Sequence, residues 1–186
     1  CCGMQEKITE AGPRRVARGV NILLTGATGF IGRTLYRALC AKGYSVYALR
    51  ARLQHHDHVE ADCKGMQIVI HCAAEIKRRH LMDSTNIFGT MNLFFAADQA
   101  GVETFVHIGT ASTRNTTYTR TKREAERIVT TYPTKMKVIV VKPPTLYGGT
   151  RGPKWLQGLK LLLMGRPMRL QSREQCVAEI MQAAGL

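Results

Sequence analysis

Acidic residues are scarce: 13 Asp and Glu stand against 27 Lys and Arg in a chain of 186 residues, a formal net charge of +14. Such a surface draws polyanions, whether cofactor phosphates, nucleic acid, acidic lipid headgroups or an acidic partner. The charge is scattered in small clusters (Arg14-Arg15-Arg18, Lys77-Arg78-Arg79, Arg120-Lys122-Arg123-Arg127) with no recognition motif and no row of stacking aromatics beside it. A dedicated nucleic-acid site is therefore not expected. Long apolar runs are missing too. None nears the roughly 20 residues that cross a bilayer, which argues against a membrane-embedded helical protein. The first residues, Cys1 to Lys7, lack the apolar stretch of a secretory signal. The cysteines (Cys1, Cys2, Cys40, Cys63, Cys72, Cys176) include no C-x-x-C pair, and several fall in segments of core character. That pattern points to a reducing, intracellular compartment, cytoplasm or mitochondrial matrix. Arg14, Arg15 and Arg18 fit either the remainder of an organellar presequence or a plain basic arm. His55, His56 and His58 around Asp57 are the nearest approach to a metal cluster. They fit a polar surface loop, and no metal is expected.

The most informative segment is Val20 to Gly32: an apolar strand, Val20 to Leu24, runs directly into glycines at 26, 29 and 32 and then into an amphipathic helix, Ile31 to Lys42. A strand, a tight turn and a helix in that order make a nucleotide-binding turn. Gly26 permits the bend, Gly29 lets backbone approach a pyrophosphate, and Gly32 lets the helix pack against the strand. Thr28, Phe30 and Ile31 complete the turn. Phosphates would rest on unpaired N–H groups at the helix N-terminus, where the dipole favours negative charge.

Strand-like segments follow at Tyr44–Arg50, Gln67–Cys72, Val102–Ile108 and Met136–Val141. They are separated by helical patterns at Met91–Ala100 and Thr119–Thr131, with further helices expected at Trp155–Met164 and Glu174–Ala184. Strands alternating with helices predict an α/β fold, a doubly wound parallel Rossmann sheet covered on both faces, with ligands at the carboxyl ends of its strands. The expected division is a basic arm over 1–19, a dinucleotide-binding domain over 20–150, and a short remnant of a substrate lobe over 151–186.

Tyr118 and Lys122 stand one helical turn apart on the same face. A free phenol titrates near pH 10, and bringing it to about 7 takes roughly 4 kcal/mol. One positive charge at about 4 Å supplies energy of that order at an effective dielectric of about 20.

These features come with Cys72-Ala73-Ala74 closing a strand, Asn86 followed by Gly89-Thr90-Met91-Asn92-Leu93, and Lys142-Pro143-Pro144-Thr145-Leu146-Tyr147-Gly148. Together, over residues 20 to about 150, the chain resembles the extended short-chain dehydrogenase/reductase superfamily. The likeness is nearest to the group of sugar-nucleotide epimerases and dehydratases, dihydroflavonol reductases and 3β-hydroxysteroid dehydrogenases. The resemblance implies that Tyr118 is the acid/base and that Lys122 binds the nicotinamide ribose and lowers the phenol's pKa. It implies that Thr110, with Ser112 as the alternative, holds the substrate oxygen, and that Asn86 is the active-site Asn. Cys72, Ala73, Ala74, Pro143 and Thr145 would border the coenzyme, and Asp62 would contact its adenine. An NAD-binding member would carry an acid at the end of the second strand. Here Ala48-Leu49-Arg50 ends without one, and Arg50, with Arg33 as a second charge, fits a 2′-phosphate, so NADP(H) is expected over NAD(H).

Relative to that family the chain is shortened over 52–63, 78–85, 111–117 and 169–172, and the region after Gly148 is too short for a full substrate lobe. Two functions stay open. One is an NADP(H)-dependent oxidoreductase, epimerase or dehydratase acting on a small molecule, with a homodimer as a natural assembly. The other is a non-catalytic NADPH-binding accessory subunit of a large assembly such as mitochondrial respiratory complex I. The intact Tyr118, Lys122 and Thr110 favour the first; the charge and the abbreviated lobe favour the second.

Overall fold

The computed structural model describes residues 19–49, 52–54, 56–147 and 170–186. The basic arm through residue 18, Arg50, His55, Gly148 and the Trp155–Met164 segment lie outside the described residues.

Five parallel strands, β1 (Asn21–Thr25), β2 (Ser45–Ala48), β3 (Ile68–His71), β4 (Thr104–Ile108) and β5 (Lys137–Val141), form one sheet in the order β2-β1-β3-β4-β5. β3 is buried along its whole length, as a strand covered on both faces must be. Because side chains alternate, each central strand feeds two cores. Ile22, Leu24, Ile68, Ile70, Val106 and Ile108 pack with α1 (Gly32–Ala41) and α5 (Arg173–Ala184). Leu23, Val69 and Phe105 take the other face, packing with α2 (His56–Cys63), α3 (Gly89–Gln99) and α4 (Thr117–Thr131). Phe94 of α3 meets Phe105 edge-to-face at 5.1 Å.

α5 begins with a capping box between Ser172 and Gln175 and buries Cys176, Val177, Ile180 and Met181 against this sheet. The carboxyl-terminal helix is thus part of the wall of the dinucleotide-type domain. A two-strand parallel pair, β6 (Thr145–Tyr147) with β7 (Leu170–Ser172), leads into it.

The elements that were expected within the described residues lie within two or three residues of their bounds, whereas α2, β6, β7 and the helical turns at Arg79–Leu81 and Asp83–Phe88 were not expected. His56, Asp57 and His58 are not in a loop: they open α2, whose Val59 and Cys63, four residues apart, are buried in the core shared with α3. Among the described residues no group of three or more His, Cys, Asp or Glu could hold a metal.

Candidate active site

β1 has β2 on one side and β3 on the other, so the chain's winding reverses between β1 and β3. A crevice opens there at the carboxyl ends of the strands. The glycine turn sits at that point. Gly26 has φ +68°, and a Cβ on it would lie 2.7 Å from the backbone nitrogen of Ala73, just past β3. A Cβ on Gly32 would lie 2.1 Å from the Gly26 carbonyl oxygen. Both positions are closed to any side chain. Gly29 N–H donates to the Gly26 carbonyl at 2.8 Å, and α1 starts after Ile31 with no side-chain cap; Arg33 N–H bonds the Gly29 carbonyl at 3.2 Å and Thr34 N–H the Ile31 carbonyl at 3.1 Å, which leaves Gly32 N–H, among the described residues, for another acceptor. Thr28 and Gly29 are exposed, Phe30 stacks under the Arg173 guanidinium at 5.4 Å, and Arg33 donates to the Thr28 carbonyl at 3.2 Å.

α4 is set by a capping box between Thr116 and Thr119. It carries Tyr118 and Lys122, with Lys122 only 3 % exposed. Burial pulls the Lys122 ammonium down to about 8, opposed by the Cys72 thiol and Glu126. The ammonium makes no hydrogen bond to a described residue, and its electrostatic neighbours Cys72, His71 and His107 place it over the carboxyl ends of β3 and β4. Burial pushes the Tyr118 phenol above its ordinary value, and the lowering expected from Lys122 is not seen: burial is the one cause of the shift. Burial also raises the Cys72 thiol to about 12, which rules it out as a nucleophile at neutral pH.

Thr110, just past β4, accepts from Ser112 N–H at 3.2 Å and gives its own proton to no described residue; the Ser112 carbonyl is held by Arg123 at 3.0 Å. Pro143 is buried, and its carbonyl accepts from Ala111 N–H at 3.1 Å; Thr145 begins β6.

The Asn86 carboxamide accepts from Glu75 N–H at 2.8 Å and donates to the Glu75 carbonyl and to Thr121 Oγ1, both at 3.0 Å. Both donors are taken, so Asn86 ties the loop after β3 to α4. Asp62 lies in the last turn of α2, five residues before Gln67, whose N–H bonds Asn21 at the start of β1. The glycine turn follows the other end of that strand, roughly 15 Å away at about 3.3 Å per residue. Asp62 is therefore not an adenine contact.

His71, Thr90 and Thr121 join this site unannounced. The available signal for His71 is an imidazole closing an otherwise apolar strand, Ile68-Val69-Ile70-His71.

The family model for the NAD dependent epimerase/dehydratase family matches residues 22–164. The chain belongs to the NAD dependent epimerase/dehydratase family. Its curated relatives include a UDP-glucose 4-epimerase of Vibrio cholerae, 25 % identical over 203 residues, covering 83 % of this chain and 60 % of the relative. A ceramide reductase of Caulobacter vibrioides is 32 % identical over 155 residues, covering 71 % of this chain and 48 % of the relative. The chain thus spans about half to three fifths of these relatives' lengths. Among solved structures, a short-chain dehydrogenase/reductase superfamily protein from Agrobacterium tumefaciens with bound NAD superposes with a TM-score of 0.73 at 19 % identity, covering 88 % of this chain and 73 % of that one. A Thermotoga maritima UDP-glucose 4-epimerase with UDP-glucose gives 0.71 at 17 %, again over 88 % and 73 %. Family membership agrees with the crevice just described: glycines barred from carrying side chains, a helix end with no side-chain cap and a buried lysine whose ammonium hydrogen-bonds no described residue suit a dinucleotide.

The buried lysine has a measurable consequence. Unfolded, a lysine titrates near 10.4, whereas folded Lys122 does so at about 8. Between those values the unfolded chain holds a proton that the folded chain has released, so stability rises with pH through that window. Below pH 8 both states are protonated and the whole penalty, at most about 3 kcal/mol, is present. Lys122→Met should therefore be more stable than wild type in urea unfolding at pH 7.5, with the gap narrowing by pH 10. A gap that widens with pH would contradict the burial penalty.

Proposed function

We propose that the chain binds a nicotinamide dinucleotide, preferentially NADP(H), and catalyses oxidoreduction at a secondary alcohol or carbonyl of a small molecule, alone or as the transient oxidation step of an epimerase or dehydratase. The observation that carries this is the buried Lys122, whose ammonium hydrogen-bonds no described residue, one turn from Tyr118 on α4 and over the carboxyl ends of β3 and β4.

The amides of Gly26 to Gly32 would hold the pyrophosphate, and Lys122 the nicotinamide ribose, with Pro143 and Thr145 alongside. When bound, the coenzyme supplies or accepts the hydride. Thr110 holds the substrate oxygen through its hydroxyl proton, which no described residue accepts. Tyr118 gives that oxygen a proton when a carbonyl is reduced and takes it back when an alcohol is oxidised. At neutral pH the burial-raised phenol is protonated, the form that carbonyl reduction needs.

Choice of the 2′-phosphorylated form rests on Arg50 with no acid at the end of the second strand, and on Arg33 at the rim of the turn. Isothermal titration should give tighter binding of NADPH than NADH. Arg50→Ala should weaken NADPH by about tenfold, the worth of one charge-assisted contact of about 1.4 kcal/mol, while changing NADH less than about twofold. Equal loss for both would refute the phosphate contact.

A further inference from the structure

Three buried polar side chains lie in a row across the sheet beneath α4: Thr25 on β1 pairs in register with His71 on β3, which pairs with His107 on β4. All three are nearly inaccessible, and the two imidazoles lie 5.5 Å apart, tilted 36° to one another. His71 is the one whose hydrogen bonds can be assigned completely.

Its Nε2 lies 2.9 Å from Thr90 Oγ1, and the Thr90 hydroxyl gives its single proton to the Asn86 carbonyl at 2.7 Å. A carbonyl cannot donate, so Thr90 has no proton left for the ring, and Nε2 must carry the hydrogen. In the neutral imidazole Nδ1 is then a bare acceptor, which requires Thr25 Oγ1, 2.7 Å away, to donate to it. The Thr25 oxygen in turn accepts from Ala73 N–H at 3.2 Å, the same nitrogen against which a Cβ on Gly26 would collide. From Asn86 the carboxamide donates to Thr121 Oγ1, and Thr121 donates to the carbonyl of Tyr118 at 2.9 Å.

Every bond in this series therefore has one permitted direction. The first run goes from the Ala73 amide through Thr25 to His71 Nδ1, and the second from His71 Nε2 through Thr90 to the Asn86 carbonyl. The Asn86 side chain then continues through Thr121 to the Tyr118 carbonyl. Hydrogen bonds aligned in series polarise and strengthen one another in a water-free interior. Both ends of the series are functional: one abuts the glycine turn, the other is the backbone of the acid/base.

We propose that His71 is a positioning residue, locked as the neutral Nε2–H tautomer, that sets the catalytic helix relative to the dinucleotide turn. This rests on the dinucleotide-binding function proposed above. His71 touches neither coenzyme nor substrate; it acts through Thr25 on the turn and through Thr90 and Asn86 on α4. The ionisable groups facing it are His107, tilted beside it, and Lys122 from α4. Burial first, and Lys122 second, push His71 down to about 3, so the neutral form persists across the working range.

The experiment uses three readouts on the wild-type chain and on His71→Phe, His71→Gln and Thr90→Val. Ring 15N shifts in wild type should report the Nε2–H tautomer unchanged from pH 8 to pH 5; an Nδ1–H tautomer, or protonation near the ordinary value, overturns the proposal. The second readout is the ultraviolet titration of Tyr118, isolated by difference from Tyr118→Phe, with NADPH bound. His71→Phe and Thr90→Val should each move it by about half a pH unit or more, a threefold change in proton affinity. His71→Gln, which keeps an amide donor at the Nε2 position, should restore it at least in part. The third is the NADPH dissociation constant, expected to change less than threefold. A lowered melting temperature with the Tyr118 titration unmoved in Thr90→Val and His71→Gln would make the series merely structural and overturn the proposal, even if His71→Phe fails to fold. Should the wild-type chain bind neither NADPH nor NADH, the function itself falls, and the tautomer measurement still judges the wiring independently.

Discussion

Tyr118→Phe should lower turnover by about 100- to 10,000-fold, the span that one positioned acid/base contributes, while the NADPH dissociation constant stays within about twofold of wild type. The reasoning runs from burial to chemistry. The phenol is half-buried on α4 and its pKa is raised by that burial, so it enters the reaction as an acid. Removing only the oxygen leaves the ring, the helix, its capping box and the Thr121 bond to the Tyr118 carbonyl in place, because that bond uses backbone. Stability should consequently move by less than about 1 kcal/mol, so a loss of turnover cannot be assigned to unfolding. The reverse direction, alcohol oxidation, needs the phenolate and should accelerate as pH rises, because burial keeps the phenol protonated at neutral pH. Undiminished turnover in the Phe variant, measured by absorbance of the reduced coenzyme with UDP-glucose and with a panel of ketones, would remove Tyr118 from the chemistry and favour a role confined to binding.

The fold was legible wherever a local period carried it. Strands covered on both faces, such as Ile68-Val69-Ile70, announce themselves by unbroken β-branched and apolar residues, and the glycine turn by its place between a strand and a helix. What escaped needed partners distant in sequence. α2 looks polar because it contributes only a narrow seam, chiefly Val59 and Cys63, to a core filled by α3. Asp62 has the residue type of an adenine contact, but its place on the descending helix puts it at the wrong end of the sheet. Asn86 was legible as part of the site, yet its role turned on partners 11 and 35 residues away, Glu75 and Thr121. The direction of the His71 bonds depends on the side chains of Thr25, His71 and Thr90 and on the backbone carbonyl of Asn86, and no local pattern encodes it.

Gly32→Ala should abolish measurable coenzyme binding, a loss of about 100-fold or more, although alanine is the better helix former and would ordinarily stabilise a helical position by about 1 kcal/mol. The opposing effect is larger. The added carbon would sit 2.1 Å from the Gly26 carbonyl oxygen, 2.8 Å from its carbon and 3.1 Å from the Ala27 Cα, all of them backbone. No rotamer change relieves a clash with backbone, so either α1 moves away from the turn or the turn opens. Overpacking of this kind costs about 1 to 3 kcal/mol when the surroundings can shift. Here the shift has little room on either side: α1 is anchored by the fully buried Leu35 and Leu39 against Ile22 and Leu24, and Gly26 is pressed against Ala73. The turn carries the N–H groups proposed to hold the pyrophosphate, so the displacement falls where it costs binding most, and about 3 kcal/mol there is about 100-fold in affinity. Gly65→Ala is the matched control, since its Cβ would meet nothing within 4 Å. Its positive φ costs some stability, but the site lies at the far end of the sheet, and NADPH affinity should stay within about twofold of wild type. Equal NADPH affinities for the Gly32 variant and wild type would show that the coenzyme does not depend on this turn.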